Sequence, residues 1–144
     1  MELVQNGLPV IPVVGAAILR GDRCLAAQRS RSMSEPLRWE FPGGKVEAGE
    51  DPVQALRSEL LEELHLEVEV GAWLGRGESV VEGRLVRLDV YLATATGEVR
   101  LAEHQGYGWF DRAALARLDW ATADVPVLAA LLRLLESPGC LACS

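Results

Sequence analysis

The chain has 144 residues, enough for one domain with its own core and too few for a second. Hydrophobic residues make up 49% and charged residues 24%, a balance that excludes disorder as the main state. Lys and Arg number 14 against 21 Asp and Glu, a net charge of −7 that excludes a broad basic footprint for a nucleic-acid polymer. An acidic surface of this kind can still hold a small polyphosphate when divalent cations sit between carboxylates and phosphates.

The opening MELVQNGLPV lacks a basic stretch ahead of an apolar run, and Val10 to Leu19 is broken by Pro12 and Gly15 and falls short of the ~20 residues that span a bilayer. A cytoplasmic protein that does not cross a membrane is expected. Val10 to Leu19, then Arg20-Gly21-Asp22, then Arg23 to Gln28 predict a β-hairpin with glycine at its turn. Arg29 to Leu37 reads as a polar loop. Trp39-Glu40-Phe41 leads into Pro42-Gly43-Gly44, where adjacent glycines mark a close approach or unusual backbone.

A helix starts at Asp51, with Asp51 as N-cap, Pro52 in the first helical position and Gln54 three residues after the cap. Val53, Leu56, Leu60 and Leu64 recur at helical period and bury one face, and the helix ends near His65. Glu67 to Leu74, Arg84 to Thr96 and Gly106 to Phe110 read as strands, Asp111 to Leu118 as a short helix. Asp124 to Leu135, with Pro126 in its first turn and Asp124 at its N-cap, predicts a final amphipathic helix. This order of elements suggests a mixed sheet with helices on its faces. The three cysteines do not make a disulfide framework, and Cys140 and Cys143 have no second pair to complete a zinc site.

Glu59, Glu62 and Glu63 stand at i, i+3 and i+4 and project from one side of the helix, away from the leucine stripe. Like charges at this spacing repel, and a divalent cation between them reverses the sign. By itself, an acidic helix face is more often solvated than metal-bound.

Gly44-Lys45-Val46-Glu47-Ala48-Gly49-Glu50 followed by Glu59-Leu60-Leu61-Glu62-Glu63 closely resembles the box of the Nudix hydrolases, G-x5-E-x7-R-E-U-x-E-E-x-G-U, where U is apolar. The spacing holds from Gly44 to Leu66 without insertion. The likeness extends to Trp39-Glu40-Phe41-Pro42-Gly43, to Glu103-His104-Gln105 before Trp109-Phe110, and to Ala123-Asp124-Val125-Pro126. The chain departs from the box at Ser58, where it has Arg, and at His65, where it has Gly. Arg57 lies one residue earlier and about 100° round the helix, and His adopts the left-handed conformation more readily than most residues.

The resemblance implies an α/β Nudix fold, a mixed β-sheet sandwiched between helices (α/β/α), over residues 1–137, with 138–144 a C-terminal tail. It implies a MutT-like nucleoside triphosphate pyrophosphohydrolase that uses Mg²⁺, or Mn²⁺, to release a nucleoside monophosphate and pyrophosphate, with CTP or oxidised and methylated nucleotides as the expected substrates. A nucleotide sugar or dinucleotide polyphosphate hydrolase, and a nucleotide-binding module weakened in turnover by Ser58, are the alternatives. Glu59 and Glu103 carry the catalytic expectation. The Gly44 carbonyl, Glu59, Glu62, Glu63 and Glu103 are the expected metal ligands, and Glu50 holds the loop or reaches the metal through water. Arg29, Phe41 and Asp124 are expected to bind substrate, Asp124 by accepting from an exocyclic amine of the base. The partner is a small nucleotide, the assembly a monomer or homodimer.

Overall fold

The computed structural model describes residues 4–136, so the expected tail with Cys140 and Cys143 lies outside the described residues. The elements run β1 (Val4–Gln5), β2 (Leu8–Arg20), β3 (Arg23–Gln28), β4 (Trp39–Glu40), β5 (Gly43–Lys45), α1 (Pro52–Leu64), β6 (Glu67–Val81), β7 (Arg84–Thr96), β8 (Gly106–Phe110), α2 (Arg112–Leu115), a 3₁₀ turn (Thr122–Asp124) and α3 (Val125–Glu136).

The sheet is mixed. Its backbone order is β4-β3-β2-β7-β6, with β1 and β5 also on β2 and β8 also on β3. The predicted hairpin is β2 and β3, closed by Gly21-Asp22 with Leu19 opposite Cys24 and Arg20 opposite Arg23. Strand β2 is the hub: it pairs in parallel with β7 from Val10 to Ile18 and antiparallel with β5, placing Val14 opposite Gly44.

Alternation along β2 sends side chains to two cores. Val14, Ala16 and Ile18 pack with Ala55, Leu56, Leu60 and Leu64 of α1 on one face. Ala17 packs on the other face with Leu115 of α2 and Val127, Leu131 and Leu135 of α3. The sheet is therefore covered on both sides, the α/β/α sandwich expected from the sequence. Two faces in use explain why β3 buries Cys24, Leu25, Ala26 and Ala27 in succession.

Three expected elements change. Helix α2 spans Arg112–Leu115 rather than Asp111 to Leu118, with Asp111 as its N-cap. Strand β6 runs to Val81 rather than ending near Leu74, because Gly75 and Gly77 do not terminate it: they give room for α3 and the 3₁₀ turn, with Val127 and Ala130 against the first and the Ala123 carbonyl against the second. Register shifts at Val70/Trp73 and Trp73/Gly75 bend the strand at the same place. Asp124 does not cap the final helix. It closes the 3₁₀ turn, and α3 begins at Val125. Among the described residues no helix is long and apolar enough to cross a membrane.

Candidate active site

Helix α1 presents its carboxylates from a well-anchored frame. Asp51 caps it by accepting from the Gln54 amide at 3.0 Å, and His65 ends it in the left-handed conformation (φ 58°) where the box has Gly. Ahead of the helix, Glu50 accepts from the Glu47 amide at 3.0 Å, which holds the loop in shape. Three backbone bonds lace the segment before β8 to the same frame: Arg100 to Leu64, Ala102 to Glu63 and Gln105 to Gln28.

The carboxylates crowd one another. Burial first, then the charges of Glu62, Glu63, Glu50 and Glu47, push the Glu59 carboxyl above its ordinary pKa. Burial and then Glu103 raise Glu63 in the same direction, with His104 opposing and Glu62 and Glu40 adding to it. Gly44 lies directly against Glu59: a Cβ there would stand 2.4 Å from its carboxyl carbon. The oxygen-only donor set of Glu59, Glu62, Glu63, Glu103 and the Gly44 carbonyl suits a hard divalent cation, and the buried Glu63 Oε2, which has no hydrogen-bond partner among the described residues, is consistent with one. As the side chains stand, no three acidic, His or Cys groups among the described residues converge tightly enough to hold an ion. Ser58 and Arg57 are both exposed, and Arg57 makes no ion pair among the described residues, so Arg57 does not take the place of the missing box Arg.

Beside this cluster lies a cavity of about 360 Å³, lined in part by Arg29, Glu35, Glu40, Phe41, Gly44 and Asp124. Gly44 thus borders both the cavity and Glu59. Asp124 is 5% exposed and accepts the Phe41 amide at 2.9 Å, so the two expected substrate residues meet across 83 positions of sequence. Burial, reinforced by Glu40, holds the Asp124 carboxyl well above its ordinary pKa. The Phe41 ring packs on Trp120 at 4.7 Å between centroids and is only 3% exposed. Of the other aromatics, Trp39 packs edge-on against Phe110 and Trp109 lies under the Arg20 guanidinium.

Arg29 does not project into solvent. Its guanidinium bonds to Ser34 and pairs with Glu40. Glu40 in turn receives His104 Nε2 at 2.7 Å, and His104 Nδ1 stands 3.9 Å from Glu63. Glu35 reaches across to the 3₁₀ turn, accepting from both the amide and hydroxyl of Thr122. Sequence reasoning assigned no role to Glu35, Glu40 or His104. Glu40 and His104 were visible only as neighbours of Phe41 and Glu103.

The raised carboxyls set a pH dependence. Their pKa is higher folded than unfolded, so the folded state binds more protons between the two values and stability falls as pH rises through the folded one. Without divalent cation, these groups should therefore favour the fold at about pH 5 over about pH 8. Mg²⁺ should raise the melting temperature more at the higher pH, where a larger share of Glu59 and Glu63 is ionised. Thermal melts in chelator and in Mg²⁺ check this, and an equal Mg²⁺ shift at both pH values would count against it.

Comparison with known proteins places these residues in a family. The NUDIX domain model matches residues 9–131. The chain is 36% identical over 128 residues to the CTP pyrophosphohydrolase of Escherichia coli (strain K12), covering 88% of this chain and 95% of that one. It is 42% identical over 126 residues to the putative 8-oxo-dGTP diphosphatase 2 of Mycobacterium tuberculosis (strain ATCC 25618 / H37Rv), covering 86% and 89%. The solution structure of the E. coli ORF135 protein superposes with a TM-score of 0.80 at 35% identity, covering 91% of this chain and 94% of that one.

Proposed function

The chain belongs to the NUDIX family of hydrolases, and on that premise we propose that it hydrolyses a nucleoside triphosphate to the monophosphate and pyrophosphate with Mg²⁺ as cofactor. Relatives named for CTP and for 8-oxo-dGTP support this substrate class, which would put its work in the cytoplasmic nucleotide pool. The observation that carries the reading is Gly44, which borders the cavity on one side and the Glu59 carboxyl on the other. A nucleotide whose base fills the cavity would lay its phosphates toward the acidic face of α1.

In this reading Glu62, Glu63, Glu103 and the Gly44 carbonyl hold the cation, which when bound neutralises the polyphosphate and acidifies water. Glu59 orients the attacking water and takes its proton, a task suited to a carboxyl with a raised pKa. Arg29, already fixed by Ser34 and Glu40, offers its guanidinium to the phosphate end of the cavity. The Phe41 backbone shapes the cavity wall, its amide committed to Asp124. Because that bond uses Asp124 Oδ2, Oδ1 is left to face the base, and in the ionised carboxylate it accepts from an exocyclic amine.

Asp124→Ala should lower kcat/KM for CTP and dGTP on the order of tenfold or more, the scale of a well-placed base contact, and lower it much less for UTP. Measuring the three substrates beside the melting temperature tests the assignment. A uniform loss across all three would leave Asp124 with only its structural bond to Phe41.

A further inference from the structure

The side chain of His104 is 3% exposed, yet it is polar and stands between two carboxylates from different elements. Its Nε2 is fixed to Glu40 Oε2 at 2.7 Å, and Glu40 is held from its other oxygen by Arg29. That anchor turns Nδ1 toward Glu63 Oε2, 3.9 Å away. These two atoms, His104 Nδ1 and Glu63 Oε2, are the buried side-chain polar atoms without a hydrogen-bond partner among the described residues. A polar ring that merely filled space would leave two desolvated groups uncompensated, which costs stability and is rare in native structures. Backbone bonds from Ala102 to Glu63 and from Gln105 to Gln28 fix the segment on both sides of the ring.

We infer that His104, with an N–H on each ring nitrogen between two carboxylates, is a positioning residue for Glu63: anchored by donating from Nε2 to Glu40, it aims its Nδ1–H at the buried oxygen of Glu63 and so sets the carboxylate for the divalent cation. The chain Arg29–Glu40–His104–Glu63 then connects the phosphate side of the cavity to the acidic face of α1. The inference rests on the reading of Glu63 as a cation ligand. Groups that orient a metal ligand from behind change metal affinity by roughly 10–100-fold when removed, and that is the size of effect His104 should carry.

The test is calorimetric titration of Mn²⁺ into nucleotide-free protein, with wild type, Glu63→Gln and three variants at position 104. His104→Asn keeps a nitrogen near the Nδ1 position, His104→Gln keeps one near Nε2, and His104→Phe keeps only the ring. Gln and Phe should lose about 10–100-fold in affinity, and Asn should recover most of that loss although its melting temperature falls with theirs. Should Phe fail to fold, the comparison of Asn with Gln decides alone. Undiminished affinity in His104→Gln, or equal losses in Asn and Gln, would overturn the role of His104 while a weakened Glu63→Gln left the cation site standing. Unchanged affinity in Glu63→Gln would remove that site, and the inference with it.

Discussion

Glu63→Gln is expected to lower turnover on the order of 1,000-fold and to weaken divalent-cation binding in the same variant, the several kcal/mol that a hard cation contributes to a phosphoryl-group reaction. The substitution keeps size and shape and removes only the charge. Glu63 sits where that charge is costly without a cation, since burial and then Glu103 push its carboxyl toward the neutral form, with Glu62 and Glu40 adding to this and His104 opposing it. The ligand-free variant should therefore melt higher than ligand-free wild type and gain less from Mg²⁺. Opposite signs in stability and activity are the signature of a residue that serves a cation rather than the fold. Calorimetry and steady-state kinetics on the same preparation check both, and unchanged cation affinity would remove Glu63 from the site.

Adjacent glycines should separate activity from folding even more plainly. A Cβ at Gly44 would meet the Glu59 side chain, its nearest neighbours being the carboxyl carbon at 2.4 Å and Oε2 at 2.5 Å. That side chain can swing aside, so Gly44→Ala should fold with a nearly unchanged melting temperature and lose on the order of 100-fold in kcat as Glu59 is displaced. A Cβ at Gly43 would stand 1.9 Å from the Val14 carbonyl, backbone of the hub strand. Nothing there can yield cheaply, and Gly43→Ala should cost ~3 kcal/mol or more and lower the melting temperature on the order of 10 °C. Equal melting temperatures in the two variants would contradict this division.

Local rules account for what was legible in the sequence. The start of α1 is written in Asp51, Pro52 and Gln54, its buried face in the leucine spacing, and its end in a His able to adopt the left-handed conformation; each signal lies within a few residues of its effect. The same locality misled at Asp124. A capping residue two positions before a proline reads as a helix start, but the Phe41 amide, 83 positions away, takes the carboxylate, and the turn tightens into 3₁₀ geometry. Glu40 and His104 are 64 positions apart and carry no periodicity that would pair them. Strand β6 outran its expected end for a related reason: glycines that read as breakers serve contacts with α3 and the 3₁₀ turn, invisible until the chain is folded.

The parallel pairing of β2 with β7 also governs how the protein is made. Val10 on β2 waits for Leu85, and Ile18 for Ala93. At the ~5–20 residues per second of translation, the apolar first strand of the hairpin spends several seconds or more outside the ribosome before its partner emerges. Gly44 and Glu59 leave the ribosome during this interval, but the sheet between β2 and β7 that underlies their site does not yet exist. Activity thus cannot appear on a nascent chain before residue 93 has cleared the exit tunnel, and the stretch from Val10 to Leu19 is the segment a chaperone would be called on to shield.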